Sequence, residues 1–139
     1  MEGRQYLNLS KQQKLKTVGA SLPGAATDGT ASSFQLANED HTLGNALRYM
    51  IMKNPLVEFC GYSIPHPSEP LLNIRIQTYP VDHPSFTPIP GRQKDEPYTA
   101  LEALEKGLDD LMQLCDVMSE TFQGELDAIG GGSDEEMQE

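Results

Sequence analysis

A chain of 139 residues with 37% hydrophobic residues and a formal charge of −11 is long enough for one domain with its own core. The charge is uneven: residues 95–139 hold fourteen acids against the single base Lys106, and residues 1–94 hold seven acids against nine bases. The acidic half repels phosphates and the other half has no Lys/Arg cluster, which excludes the usual electrostatic footprint of a nucleic-acid binder. No apolar run approaches the length of a membrane span, and the first sixteen residues lack the apolar stretch of a signal peptide. Cys60 and Cys115 form neither a CxxC pair nor a zinc spacing, so both read as small hydrophobes in a reducing compartment.

In chain order, residues 1–12 are polar and read as a flexible N-terminal segment. "KLKTVGAS" (14–21) fits a short edge strand, and "LPGAATDGTAS" (22–32) a turn-rich loop. "SFQLA" (33–37) alternates as a strand with Phe34 and Leu36 on one side. A helix is predicted from about Thr42 to Lys53, with Asp40 and Thr42 as N-terminal caps and "NP" (54–55) as the stop. "VEFCGYSIP" (57–65) and "LLNIRIQTY" (71–79) are predicted strands joined by "HPSEP". In the second, Leu72, Ile74, Ile76 and Thr78 share one face, with Asn73, Arg75 and Gln77 on the other. That pattern predicts a sheet covered on one side and wet on the other. "PVDHPSFTPIPGRQKDE" (80–96) carries four of the ten prolines and reads as a loop. Pro97 is predicted to open the last helix at its first position, beside Asp95 and Glu96.

Both helices carry more apolar surface than one sheet covers. In the first, Leu43, Ala46, Leu47, Met50 and Ile51 form an arc of ~140° at ~100° per residue. The other side displays Tyr49 and Met52, with Gly44, Asn45 and Arg48 between them. In the last, Leu101, Leu104, Leu108, Leu111, Cys115, Met118 and Phe122 recur at alternating spacings of three and four. A helix of about 30 residues spans ~45 Å, against ~30 Å for a small domain. It must overhang its sheet, and the stripe along it predicts a second polypeptide as cover. A break near Gly107 or Gly124 is the competing reading. Gly44 fits either a close backbone approach or a tolerated place in the first turn.

Chemistry is sparsely encoded. Asp40, His41, Cys60 and His66 have no spacing typical of metal ligands, and "PGAATDGT" lacks the lysine of a phosphate loop. No nucleophile–histidine arrangement stands out. The sequence therefore predicts no metal, no cofactor and no catalytic residue.

The stretch "DHTLGNALRYMIMKNP" (40–55), with "VEFCGYSIPHPSE" and "LNIRIQTY" after it, resembles the alpha-like subunits of cellular RNA polymerases. "MKNP", "EFCGYSIPHPSE" and "KGLDDLMQLCD" (106–116) resemble most the smaller alpha-like subunits shared by polymerases I and III. The resemblance covers residues 34–79 and about 100–122. It implies an α+β fold, an antiparallel sheet backed by two helices, in an alpha-type dimerisation domain over 13–128 with a long C-terminal helix. Residues 129–139 are then an acidic flexible tail.

It also implies a non-catalytic assembly subunit that forms a heterodimer with a larger alpha-like subunit. That pair docks the two large catalytic subunits, in the nucleus including the nucleolus. The partner-binding residues so implied are Leu43, Gly44, Leu47, Arg48, Ile51, Leu101, Leu104, Leu108, Leu111, Cys115, Met118 and Phe122. The loop 80–97 is longer and richer in proline than the resemblance implies. The alternatives are the equivalent polymerase II or archaeal subunit, and a small hydrolase using His41 or His66.

Overall fold

The computed structural model describes residues 14–18 and 26–130. The segment 1–12, part of the first loop and the residues beyond Gly130 lie outside them. Four strands, β1 (Leu15–Val18), β2 (Ala31–Ala37), β3 (Val57–Ser63) and β4 (Leu71–Thr78), form one antiparallel sheet in the order β1-β2-β4-β3. Helix α1 (His41–Met52) connects β2 to β3, and α2 (Ala100–Gly130) follows β4 after a long loop. Each predicted strand is present, and β1 pairs with β2 at Leu15–Leu36 and Thr17–Phe34.

Alternation in β4 sets the layers. Leu72, Ile74, Ile76 and Thr78 are buried, and Asn73, Arg75 and Gln77 lie on the more open face. Phe34 and Leu36 of β2 and Cys60 of β3 join the buried side. Leu47 and Ile51 of α1, with Ala100, Ala103 and Leu104 of α2, close over it. Burying such a Leu or Ile side chain contributes roughly 1.5–3 kcal/mol before conformational entropy is subtracted. A β-bulge between Val57 and Phe59 turns both Glu58 and Phe59 outward.

Two glycines explain how closely these layers approach. A Cβ on Gly44 would sit 2.5 Å from Leu72 Cδ1 and 2.8 Å from the Tyr62 ring. The close approach at Gly44 is thus made by α1 to its own sheet, which settles that position as internal. A Cβ on Gly107 would run into Ile51. Gly107 is therefore where α2 crosses α1, and α2 continues through it unbroken.

The start of α2 differs from the prediction. It begins at Ala100 instead of Pro97, because Thr99 and Glu102 form a capping box. Thr99 Oγ1 accepts from the Glu102 backbone N–H at 3.2 Å, and Glu102 Oε2 accepts from the Thr99 N–H at 2.9 Å. Asp95 and Glu96 are left in the loop, and Glu102 is the acid of the first turn. At the other end α2 includes Ile129 and Gly130, two residues assigned from sequence to the tail.

The loop 80–97 is organised by consecutive turns. His83 N–H donates to Pro80 C=O, Phe86 to His83, Arg92 to Ile89 and Glu96 to Gln93. The rings of Tyr79 and His83 lie 4.7 Å apart, and Ile89 packs on the core. Arg92 pairs with Glu102, holding the loop to the first turn of α2. The Arg92 guanidinium, with the Thr99 donors, holds the Glu102 carboxyl below its ordinary range against the opposing effect of burial.

Candidate partner-binding surface

The helix α2 has two parts. Ala100, Ala103, Leu104 and Gly107 are buried against α1 and the sheet, while Leu108 and Leu111 are half-buried at the margin of the core. From Met112 to Gly130 every residue is exposed. Nineteen residues at ~1.5 Å each carry the helix ~28 Å beyond its own fold. The side chains on that length are not those of a solvated helix: Met118 is 63% exposed, Phe122 66% and Ile129 72%. At ~100° per residue, Leu111, Cys115, Met118, Phe122, Leu126 and Ile129 fall within an arc of ~80°. This arc continues the face on which Leu104 packs inward. The helix therefore carries one apolar stripe, covered at its start and bare along the rest.

The predicted contact residues separate accordingly. Leu111, Cys115, Met118 and Phe122 come together on the projecting stripe, and Leu108 stands at its root. Leu101 is 48% exposed, on the edge of the same helix. Four of the residues named from sequence belong to the internal core instead. Leu47 and Ile51 are 0% exposed, Leu104 is 1% exposed, and Gly44 is buried beneath Leu72 and Tyr62. The sequence read Leu47, Ile51 and Leu104 as contacts of the core and of a partner together, and the domain's own layers take the core part. The sequence ended the stripe near Leu126 and passed over Met112, Leu114, Val117 and Ile129, exposed apolar side chains of α2. Their helical spacing was available; the place where the sheet ends was not.

The outward side of α1 offers a second, smaller apolar surface. Tyr49 is 54% exposed and Met52 42%, with Lys53 Nζ 4.6 Å from the Tyr49 ring centroid. Arg48 is half-buried and donates to Asn45 Oδ1 at 3.0 Å, so its guanidinium is fixed along the helix. Leu43 is half-buried and packs on the core from α1. Asp40 is the N-cap, accepting from the Thr42 N–H at 2.8 Å, which lowers its carboxyl from the ordinary value. Thr42 is thus a donor to the cap and not a cap itself.

The histidines considered for catalysis have local partners. His41 Nδ1 lies 2.9 Å from the Tyr62 hydroxyl. His66 Nδ1 lies 2.6 Å from Ser68 Oγ and accepts from the Ser68 N–H, closing the exposed turn between β3 and β4. Among the described residues, this serine two positions from its histidine, in an open turn, is joined by no third group that would orient the imidazole. Burial pushes the Cys60 thiol up to about 11, which suits a packed side chain and not a nucleophile. Among the described residues, no group of three or more His, Cys, Asp or Glu side chains is placed to hold a metal. No helix among them is long and apolar enough to cross a membrane.

This geometry defines a class: an α+β domain whose long helix carries an internal apolar face outward beyond its own sheet. Sequence comparison specifies which. The RNA polymerase Rpb3/Rpb11 dimerisation domain matches residues 31–121, and the chain belongs to that family. It is 59% identical over 102 residues to the DNA-directed RNA polymerases I and III subunit RPAC2 of Saccharomyces cerevisiae, covering 73% of this chain. It spans 61% of that relative's length. It is 53% identical over 105 residues to the subunit of the same name in Schizosaccharomyces pombe, 76% of this chain and 71% of that one. DNA-directed RNA polymerase subunit L of Thermoplasma acidophilum has the same fold, with a TM-score of 0.58 at 17% identity over 84% of this chain and 92% of that one.

Proposed function

We propose that the chain is a non-catalytic assembly subunit shared by nuclear RNA polymerases I and III. It forms a heterodimer with a larger alpha-like subunit, and the pair presents a platform to the two large catalytic subunits. The observation that carries this reading is the bare stripe of α2, from Leu111 to Ile129, continuous with the internal face of the same helix. The relatives named as polymerase I and III subunits support the assignment to those enzymes and to the nucleus, including the nucleolus. Arg48 and the exposed Tyr49 and Met52 are the groups proposed to face a catalytic subunit. A planar guanidinium held at a fixed angle suits recognition of carboxylates or backbone carbonyls.

Affinity isolation of the tagged chain, with identification of the bound chains, tests the proposal. It should recover a larger alpha-like subunit together with the catalytic subunits of both polymerases. Recovery of polymerase II chains alone would overturn the assignment to I and III. Met118→Asp or Phe122→Asp should abolish recovery while leaving the fold intact, because neither side chain touches its own core.

A further inference from the structure

The proline-rich loop 80–97 is the part of the chain to which the assembly role gives no task. Of the ten prolines, one follows a hydroxyl side chain: Pro88, after Thr87. Thr87 and Pro88 are exposed, while Phe86 and Ile89 on either side are half-buried and Ile89 packs on the core. The hydroxyl is thus held outward between two seated neighbours. Residues 86–89 form no helix, strand or turn. Proline pushes the residue before it to the extended region and offers no N–H of its own. An extended, accessible hydroxyl residue followed by proline is what a proline-directed protein kinase takes as substrate.

The next four residues bring a cation close. Ile89-Pro90-Gly91-Arg92 is a type II turn, with proline second, Gly91 third at φ 86°, and the Arg92 N–H donating to the Ile89 carbonyl at 3.2 Å. Such a turn brings its first and last Cα atoms within ~7 Å. Thr87 lies two residues before it, at most ~7 Å of extended chain. The Arg92 guanidinium pairs with Glu102, and with Glu96 at 3.7 Å. Among the described residues, Arg92–Glu102 is the one ion pair that joins this loop to α2.

We propose that Thr87 is a phosphorylation site for a proline-directed protein kinase, and that its phosphate draws Arg92 from Glu102 and loosens the loop from the start of α2. In the transfer, Thr87 Oγ attacks the γ-phosphorus of ATP. The Oγ–P bond forms, the bond from that phosphorus to the ADP oxygen breaks, and the hydroxyl proton passes to the kinase's base. The product carries a charge of about −1.5 to −2 at neutral pH and three acceptor oxygens. A guanidinium fork takes a phosphate through two parallel hydrogen bonds. Glu102 offers Arg92 a smaller charge, and its Oε2 is already engaged with the Thr99 N–H. Neither step depends on the heterodimer proposed above.

The test incubates the full chain with Mg–ATP and purified mitogen-activated and cyclin-dependent protein kinases in turn. Intact mass should show one phosphate per chain with at least one of them, and fragmentation should place it on Thr87. Thr87→Val should take none, and Pro88→Ala should slow incorporation at least ~10-fold. No phosphate with either kinase, phosphate mapped elsewhere, or equal rates with and without Pro88 would overturn the site. NMR titration of the Glu102 side chain then reads the effect on Arg92. Held low by Arg92 in the parent, its value should move up towards the ordinary 4.5 in the phosphorylated chain, as it should in Arg92→Gln. The phosphate keeps one negative charge in that range, so it still competes there. Phosphorylating Arg92→Gln should add no further movement. An unmoved Glu102 value, or an equal movement in the Arg92→Gln background, would show that the phosphate does not act through Arg92 and would overturn the release of the loop.

Discussion

The first turns of α2 and its last nineteen residues belong to one helix and one apolar stripe, yet they do different work. At Leu104 and Gly107 the stripe is internal: Leu104 is 1% exposed and Gly107 leaves room only for Ile51. At Met118, Phe122 and Ile129 the same stripe projects, exposed among the described residues. The difference teaches that a helical pattern tells which face must be covered, while the extent of the sheet decides how much of that cover the chain itself provides. The energetic consequences are opposite. Changes near the start of α2 should unfold the chain, and changes further along should leave it folded and alone.

The largest effect should come from Leu104→Asp, which places a lone carboxylate in the core and costs several kcal/mol. Thermal or denaturant unfolding of the purified chain should show little or no folded population. Folding at near-parental stability would move Leu104 out of the core. Next, Ile51→Ala should destabilise by ~2–5 kcal/mol in denaturant unfolding, through lost burial and the cavity left against Gly107. By contrast, Phe122→Ala should change the stability of the isolated chain by no more than ~0.5 kcal/mol while weakening partner capture strongly. A large loss of stability there would show that the projecting helix folds back on its own domain.

Gly107→Ala sharpens the boundary between the two parts. The new methyl must displace Ile51, so a net loss of ~1–3 kcal/mol is expected despite alanine's better helix propensity. The smallest expected effect is on pH dependence at the capping box. The Glu102 carboxyl has its value lowered in the folded chain, chiefly by Arg92. Its contribution is therefore complete above the ordinary value of 4.5 and is lost as pH falls through the lowered folded value. Glu102→Gln should flatten the acid limb of stability below about pH 4.5, and an unchanged limb would place the acid sensitivity elsewhere.

Much of this architecture is legible in the residues. Period-two alternation placed β4 with its faces correctly assigned, and spacings of three and four placed the stripe on α2. The wrong steps have local causes. Proline chemistry at Pro97 was weighed above the Thr99–Glu102 capping box, which fixes the true start. Ala100 and Ala103 are silent in a hydrophobic pattern but are buried because small side chains let α2 lie close to the sheet. Asn54 read as a helix stop; it is buried and donates to the Tyr98 hydroxyl at 3.1 Å, tying the end of α1 to the approach to α2. Thr78, also buried, donates to the Tyr98 carbonyl and to Thr30 C=O. Such polar links are invisible to pattern because they join residues far apart in sequence. For the same reason the sequence left Leu47, Ile51 and Leu104 as shared core and partner contacts, when the domain's own layers already bury them.

Hydrogen exchange along α2 tests the central claim most directly, measured on the dilute isolated chain and on the same chain bound to the larger alpha-like subunit. The account predicts strong protection around Ala103–Gly107 in both, and rapid exchange across 112–130 in the free chain that becomes slow only in the complex. Protection of 112–130 in the free monomer, or exchange there unchanged by the partner, would contradict it.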